Sequence, residues 1–143
     1  MGSNSWGVKS AHGNLKSVLM HRPGVEIDVV TNENLAVFNF DEPVSREVFQ
    51  AEYDTMVDGF NAHGVEPIFL TDVLKDDEDA LNFIKHRPNM TYTRDLGAVF
   101  KTGAVLMGPH LLGRWGDQDM VGRTLKRLGI PILGSIDCPA FLE

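Results

Sequence analysis

The chain has 143 residues, 43% of them hydrophobic and 23% charged, which is the composition of a globular domain or of a piece of a larger one. The formal net charge of −7 argues against nucleic acid or an anionic membrane as a partner, because both attract basic protein surfaces. The single cysteine, Cys138, excludes an internal disulfide framework and indicates a reducing compartment, so we expect a cytoplasmic protein.

A short N-terminal segment precedes one continuous region. Residues 1–10 are interpreted as a flexible N-terminus or a remnant of cloning, because they lack the apolar core of a signal peptide. Residues 11–143 contain no low-complexity linker and no apolar run of membrane-spanning length. We therefore expect a single domain portion over 11–143, with no membrane segment.

The first predicted element is a short strand. Residues 15–24 have the pattern of a strand that is ended by Pro23 and Gly24, with residues 25–30 as a candidate continuation. Residues 31–43 mix Asn, Asp and Pro with isolated apolar side chains. This mixture predicts a loop with a short extended piece.

A helix and a buried strand follow. The helix is predicted to begin between Pro43 and Ser45 and to end near residues 63–64, and residues 65–70 then read as a buried strand. The helical spacing is carried by Phe49, Tyr53, Met56, Val57 and Phe60.

The middle of the chain predicts a short helix and a hairpin. Residues 71–87 contain a helix with an acidic start, since Asp and Glu favour the positive N-terminal end of a helix. Residues 90–100 and 104–108 are predicted as two extended segments, and residues 101–103 as the tight turn that joins them.

The last predicted helix begins near Asp117, and residues 129–134 form the strand that follows it. The order of helix, glycine and short apolar strand also occurs around residues 65–70. A repeated strand–helix–strand unit has this signature. A glycine at the end of each helix is the simpler alternative, because many helices end on glycine.

Common catalytic and metal-binding motifs are absent from the sequence. There is no P-loop, no G-x-G-x-x-G after a strand and no G-x-S-x-G. The histidines stand singly, without the spacing of metal ligands, so we expect no metal and no cofactor. They are His12, His21, His63, His86 and His110.

The segment "RPNMTYTRDLGAVF", residues 87–100, carries more polar groups than a core strand needs. A planar guanidinium is bound best by a carboxylate that accepts two hydrogen bonds, with an aromatic ring beside it. Asp95 offers the carboxylate and Tyr92 the ring. The alternative is that Arg94 and Asp95 form a solvated ion pair at the end of a strand.

Residues 12–143 contain, in this order, "LKSVLMHRPGVE", "FDEP", "GVEPIFLTDVL", "PNMTYTRD", "GRWGD" and "LGIPIL" followed by "FLE". Together these segments resemble the N-terminal part of the penteins, the superfamily that includes arginine deiminases, dimethylargininases and amidinotransferases. The motif P-N-x-x-[FY]-T-R-D is fairly specific. The resemblance implies an α/β fold, namely a partial propeller of ββαβ modules, with two to three of the five modules in this chain.

The resemblance also implies roles for five residues. Asp95 matches the carboxylate that binds the substrate guanidinium, and Asn89 matches the amide that contacts the amino-acid end. Tyr92 stands where relatives often carry Phe in the pocket wall. Arg114 matches the arginine that binds the substrate α-carboxylate, with a surface arginine as the alternative. Glu143 matches the second guanidinium-binding carboxylate, the first residue of the family's E-G-G-D element.

The catalytic histidine and cysteine of the family have no match in this chain. Cys138 lies before Glu143, so it does not match the nucleophile, and a structural thiol is the expected role. The resemblance therefore implies the substrate-binding N-terminal half of a hydrolase or amidinotransferase with a covalent thiol mechanism, inactive alone. Expected partners are an arginine-like guanidino compound and either the missing C-terminal half or a second copy of the chain.

Two further points stay open. Only fourteen residues separate "FLTDV" from "PNMTYTRD", and this shortness favours a compact relative of the dimethylargininase or amidinotransferase type. A non-catalytic binding module, or a split gene product that assembles with a partner chain, is the alternative to the enzyme half.

Overall fold

The computed structural model describes residues 6–10 and 12–136. Cys138 and Glu143 lie outside the described residues. The strands are Ser17–Met20 (β1), Glu66–Phe69 (β2), Gly97–Phe100 (β3), Gly103–Met107 (β4) and Ile132–Ile136 (β5). The α-helices are Leu35–Phe38 (α1), Arg46–Ala62 (α2), Leu70–Val73 (α3), Glu78–Ile84 (α4) and Asp117–Arg127 (α5). Short 3-10 helices span Val25–Val29, Pro88–Thr91, Thr93–Leu96 and Leu112–Arg114.

The first unit joins β1 and β2 through α2. The two strands are parallel, with Ser17 opposite Glu66. Parallel neighbours need a long crossover, and the 17-residue helix α2 supplies it. Ser45 caps this helix, since its hydroxyl accepts a hydrogen bond from the Val48 N–H at 3.4 Å. Gly64 ends the connection with φ +69°, a backbone conformation that favours glycine.

The second unit runs from β3 to β5. Strands β3 and β4 form an antiparallel hairpin with Phe100 opposite Gly103, and β4 then pairs in parallel with β5 after α5. The predicted hairpin is confirmed. Val8, from the segment grouped with the N-terminus, donates its N–H to the Val99 carbonyl at 3.1 Å.

The core lies between α3, α4, α5 and the second sheet. Both units contain a strand, a helix and a second strand parallel to the first. This confirms the α/β class and the order of helix and strand predicted for each unit. The buried cluster consists of Leu70, Leu74, Ala80, Ile84, Met90, Leu96, Ala104, Leu106, Met120, Val121, Leu125 and Ile130. None of the described helices is long and apolar enough to cross a lipid bilayer.

Two of the predictions made for residues 25–43 are wrong. Residues 25–29 form a 3-10 helix rather than a continuation of the first strand. The buried Glu26 carboxylate accepts hydrogen bonds from the Gly24 N–H at 2.6 Å and pairs with His21 at 2.8 Å, which favours a tight turn over an extended chain. The loop predicted over residues 31–43 contains the single helical turn of α1.

The prediction of an extended chain over residues 90–96 is also wrong. This segment forms two consecutive 3-10 turns, and the strand begins only at Gly97. Pro88 stands at the start of the first turn, where its fixed φ suits a helical conformation. The Thr93 hydroxyl donates to the Leu19 carbonyl at 2.9 Å and ties the segment to the first sheet.

Candidate functional site

A cavity of about 580 Å³ lies beside the 3-10 turns that precede β3. Its wall contains four of the five residues to which the resemblance assigns a role: Asn89, Tyr92, Asp95 and Arg114. The loop before α5 and the residues after α1 complete the wall. We refer to it below as the polar cavity.

The 3-10 turns place three of these side chains on one surface. A 3-10 helix has three residues per turn, so side chains three apart lie above one another. Asn89, Tyr92 and Asp95 have this spacing, and each turn is closed by a backbone hydrogen bond. The Tyr92 N–H donates to the Asn89 carbonyl at 3.0 Å, and the Asp95 N–H to the Tyr92 carbonyl at 3.2 Å. In a strand, Tyr92 would face away from the other two.

Arg114 reaches the cavity from the 3-10 turn before α5. Its side chain is buried, and Nη1 donates to Asp95 Oδ2 at 2.8 Å while Nη2 donates to the Tyr92 carbonyl at 3.1 Å. The Tyr92 ring centroid lies 5.9 Å from the guanidinium carbon. Arg114 is therefore not a surface arginine, and it, rather than Arg94, is the ion-pair partner that the structure gives Asp95.

Asn89 is fixed at the base of the cavity. Its Nδ2 donates to the carbonyl of Phe38, the last residue of α1, at 3.0 Å. Its Oδ1 is buried and makes no hydrogen bond to the described part of the chain. An amide held through one end, with its other end unpaired, is poised to accept a hydrogen bond from a ligand or a water molecule.

Asp117 lies behind Arg114 and is fully buried. Its Oδ2 is 3.5 Å from Arg114 Nε, and its Oδ1 is 3.9 Å from Arg87 Nε. Burial raises the pKa of Asp117 to about 6, against the opposing effect of the two arginine charges. From the sequence, Asp117 is expected to begin the last helix and to close the "GRWGD" motif, and an acidic residue is ordinary at a helix start.

A second cavity of about 490 Å³ lies on the other side of Tyr92 and Asp95. Its wall is mainly apolar and is formed by β1, by α2 and by residues 91–95 of the 3-10 turns before β3. The α2 side chains in it are Phe49, Glu52, Tyr53 and Met56. Tyr92 and Asp95 thus separate a polar cavity from an apolar one.

No cluster of three potential metal ligands occurs within the ranges that the structure describes. The fifth predicted site residue, Glu143, and the lone thiol of Cys138 fall outside those ranges. The predicted site residues that the structure describes thus place a carboxylate, an amide, an aromatic ring and a guanidinium around one cavity, whose wall also contains Asn39, Phe40 and His110.

Comparison with known proteins gives several matches of one kind. The chain is 31% identical to the arginine deiminase of Lactococcus lactis over 102 residues, which is 63% of this chain and 25% of that protein. It is 38% identical over 66 residues to the arginine deiminase of Treponema denticola, covering 46% of the chain and 16% of the relative. For the arginine deiminase of Rhodococcus opacus the identity is 37% over 73 residues, covering 51% of this chain and 18% of that protein.

The chain spans about a quarter or less of the length of these curated relatives. No protein-family model matches it. Over part of its length the chain is similar to arginine deiminase and carries an arginine deiminase-like N-terminal part, which confirms the predicted resemblance. The relatives named are arginine deiminases, although the short segment before "PNMTYTRD" had favoured the compact families.

Proposed function

We propose that this chain is the substrate-binding N-terminal part of an enzyme that modifies guanidino groups, and that the polar cavity binds an arginine-like molecule. The observation that supports it most is the meeting of Asp95, Asn89 and Arg114 in one cavity, although they come from separate turns of the chain. The similarity to arginine deiminases points to the same ligand class.

Asp95 is the proposed guanidinium acceptor. Its side chain is 54% exposed, and only its Oδ2 is engaged by Arg114. A carboxylate offers about four acceptor positions, so a ligand guanidinium can bind at the remaining ones or take the place of Arg114. Tyr92 stands beside Asp95 as a half-exposed ring that a planar cation can approach.

Arg114 and Asn89 are the proposed ligands of the amino-acid end. A guanidinium binds a carboxylate through two parallel hydrogen bonds. A ligand that carries both a guanidinium and a carboxylate therefore exchanges one internal ion pair for two external ones. No charge is left unpaired in the cavity by this exchange, which favours amino-acid-like ligands over simple guanidines.

The reaction itself is assigned to residues that this chain does not match. In the proposed parent enzyme a thiolate attacks the guanidinium carbon, an amine leaves with the carbon–nitrogen bonding electrons, and water then releases the product from sulfur. Asp95, together with Glu143, would orient the planar group for this attack and disperse its charge. The chain alone is proposed to bind without turnover.

The fold supports the same assignment. The order β3, β4, α5, β5 has the ββαβ form of the proposed propeller module, and β1–α2–β2 repeats its second half. We propose that these are two of the modules of a five-module propeller.

Titration calorimetry of the 143-residue chain with L-arginine tests this function. Asp95→Asn keeps the shape but removes a charge-assisted hydrogen bond, so we expect the affinity to fall by about 10- to 100-fold, equivalent to about 1.5–3 kcal/mol. Because Asp95 is half-exposed, the free energy of unfolding of Asp95→Asn should differ from that of the wild-type chain by at most about 1 kcal/mol.

Asp58→Asn is the matched control, since Asp58 is an exposed acid on α2 away from the polar cavity. Equal affinities of Asp95→Asn and Asp58→Asn for L-arginine would refute the guanidinium site. Binding that depends on Asp95, but is not followed by turnover in the assembled parent protein, would instead identify a non-catalytic binding module.

A further inference from the structure

The buried carboxylate of Asp117 takes no part in the function proposed above, and it lies directly behind the cavity. Two of the Arg114 nitrogens are directed to the cavity side, where they donate to Asp95 and to the Tyr92 carbonyl. The third, Nε, lies 3.5 Å from Asp117 Oδ2. The Arg114 guanidinium is thus placed between one carboxylate at the cavity and another behind it.

Arg87 flanks Asp117 on the far side. Its guanidinium carbon lies 4.1 Å from the Phe83 ring centroid, and its Nη1 donates to the Gly113 carbonyl at 3.1 Å. These contacts fix Arg87 independently of Asp117, whose Oδ1 is 3.9 Å from Arg87 Nε. The four charges therefore alternate in sign toward the cavity, in the order Arg87, Asp117, Arg114, Asp95.

The backbone brings Asp117 to this place by a close approach of α5 to α4. Gly116, the residue before the helix, has φ +89°. A Cβ at this position would lie 3.1 Å from the tip of the Phe83 ring. Glycine therefore satisfies both the left-handed backbone and the narrow gap, and it allows the first residue of α5 to sit beside Arg87.

We propose that Asp117 is a positioning residue: with Arg87 behind it, it fixes the Arg114 guanidinium at the cavity wall and so sets a preference for ligands that carry a carboxylate. The preference for carboxylate ligands rests on the proposed function, whereas the positioning of Arg114 by Asp117 does not depend on it. Without the Asp117 charge, two arginines would face each other with no anion between them. Repulsion would then displace Arg114 toward the cavity and solvent.

The competing explanation is that Asp117 has a purely structural role at the start of α5. A control variant at Asp119 distinguishes this role from the positioning of Arg114. Both residues lie in the acidic first turn of α5, so both interact with the helix dipole. Asp119 is exposed, and the structure gives it no contact with Arg114. Asp119→Asn therefore removes the helix-end charge alone, whereas Asp117→Asn also removes the anion behind Arg114.

The first measurement is the ¹⁵N–¹H resonance of Arg114 Nε, assigned by its loss in Arg114→Lys. In the wild-type chain and in Asp119→Asn we expect the same protected signal. In Asp117→Asn we expect it to shift and to exchange faster with water. An unchanged signal in Asp117→Asn would overturn the proposal.

The second measurement compares L-arginine with agmatine, which has the guanidinium but lacks the carboxylate. We expect the wild-type chain to prefer L-arginine by about 10- to 100-fold, the value of a charge-assisted pair. Asp117→Asn should reduce this ratio by about tenfold through weaker L-arginine binding, and Asp119→Asn should leave it unchanged. In an Arg114→Ala background, Asp117→Asn should have no further effect on the ratio.

The two readouts distinguish the two proposals. A changed Arg114 signal without binding of either ligand to the wild-type chain would support the positioning role and refute the proposed function. Binding that requires Asp95, with an unchanged signal and ratio in Asp117→Asn, would support the proposed function and refute the positioning role.

A pH titration of the wild-type chain covers the case in which Asp117→Asn fails to fold. The charged or titratable groups that act on Asp117 are Arg87, Arg114 and His21. Because burial raises its pKa to about 6, acidification through that range should protonate Asp117 and move the Arg114 signal. The same titration on His21→Gln should keep this step, and its loss there would count against the proposal.

Discussion

At the scale of single residues, a spacing of three determines which side chains after Pro88 lie on the same surface. Asn89, Tyr92 and Asp95 share a surface because each pair is separated by one 3-10 turn. Arg114 then joins this surface through the Asp95 carboxylate, 2.8 Å away. Four side chains from three 3-10 turns thus form one polar wall, and a change in the local helix type would disperse them.

The raised pKa of Asp117 predicts how stability depends on pH. Because the folded chain holds this proton more tightly than the unfolded chain, the free energy of unfolding should fall as the pH rises from about 4 to about 6. The shift from 3.8 to about 6 corresponds to at most about 3 kcal/mol. We expect the stability of the wild-type chain relative to Asp117→Asn to decline by up to this amount between pH 4 and pH 7.

Urea denaturation at several pH values measures this difference, and subtracting the curve of Asp117→Asn removes the contribution of other groups such as Glu26. The pKa of Glu26 is lowered, because the hydrogen bond and charge of His21 and local backbone donors outweigh its burial. The contribution of Glu26 to stability therefore has the opposite pH dependence from that of Asp117, since it is lost as the pH falls. Parallel curves for wild type and Asp117→Asn would contradict the prediction.

At the scale of elements, the two crossover helices determine where the cavity walls stand. Helix α2 connects β1 to β2, and α5 connects β4 to β5, so each helix packs beside the sheet that it completes. The turns that carry the site lie at the junction between these units. Their geometry depends on the helix starts, because Arg114 precedes α5 by three residues.

The start of α2 allows the contribution of its cap to stability to be predicted. Ser45→Ala removes the side-chain acceptor for the Val48 N–H, so we expect thermal denaturation to show a loss of about 1 kcal/mol. Thr55→Ala, in the exposed middle of the same helix, should be neutral or slightly stabilising, because alanine is the better helix former. A loss of equal size in both variants would show that the Ser45 cap contributes nothing specific.

At the scale of the whole molecule, the two sheets are small and incompletely covered. The first has two strands and the second three within the described residues. Two-stranded sheets are marginal in isolation, and open strand edges favour association. The apolar second cavity adds Met56 and Tyr92, each nearly half-exposed, to this surface.

We therefore expect the chain to associate with itself as its concentration rises. Sedimentation velocity between about 5 and 500 µM should show a growing sedimentation coefficient, a range typical of weak protein contacts. Met56→Glu should reduce association, since it places a charge in the apolar cavity, whereas Val48→Glu on the same helix should not. A concentration-independent monomer would contradict this prediction.

Activity provides the second test at this scale. We expect the 143-residue chain to form no citrulline from L-arginine above background, because neither reactive residue of the family has a match in it. Cys138→Ser should behave identically. Turnover that disappears in Cys138→Ser would refute the expectation and would identify Cys138 as a nucleophile.

The sequence by itself determined the elements whose signals are local. Helix α2, helix α5 and the β3–β4 hairpin could be predicted because their apolar spacing, caps and turn glycine lie within the element. The family resemblance also indicated a set of site residues, namely Asn89, Tyr92, Asp95, Arg114 and Glu143. These predictions needed no knowledge of which segments meet in space.

The tertiary structure decided how those residues meet. The turns over residues 90–96 were predicted as a strand, because the contact that ties Thr93 to the Leu19 carbonyl joins residues 74 positions apart. The burial of Asp117 was equally hidden, since an acidic residue at a helix start is usually solvated. The packing of α5 against α4 encloses Asp117 between two arginines and places a buried carboxylate behind the cavity wall.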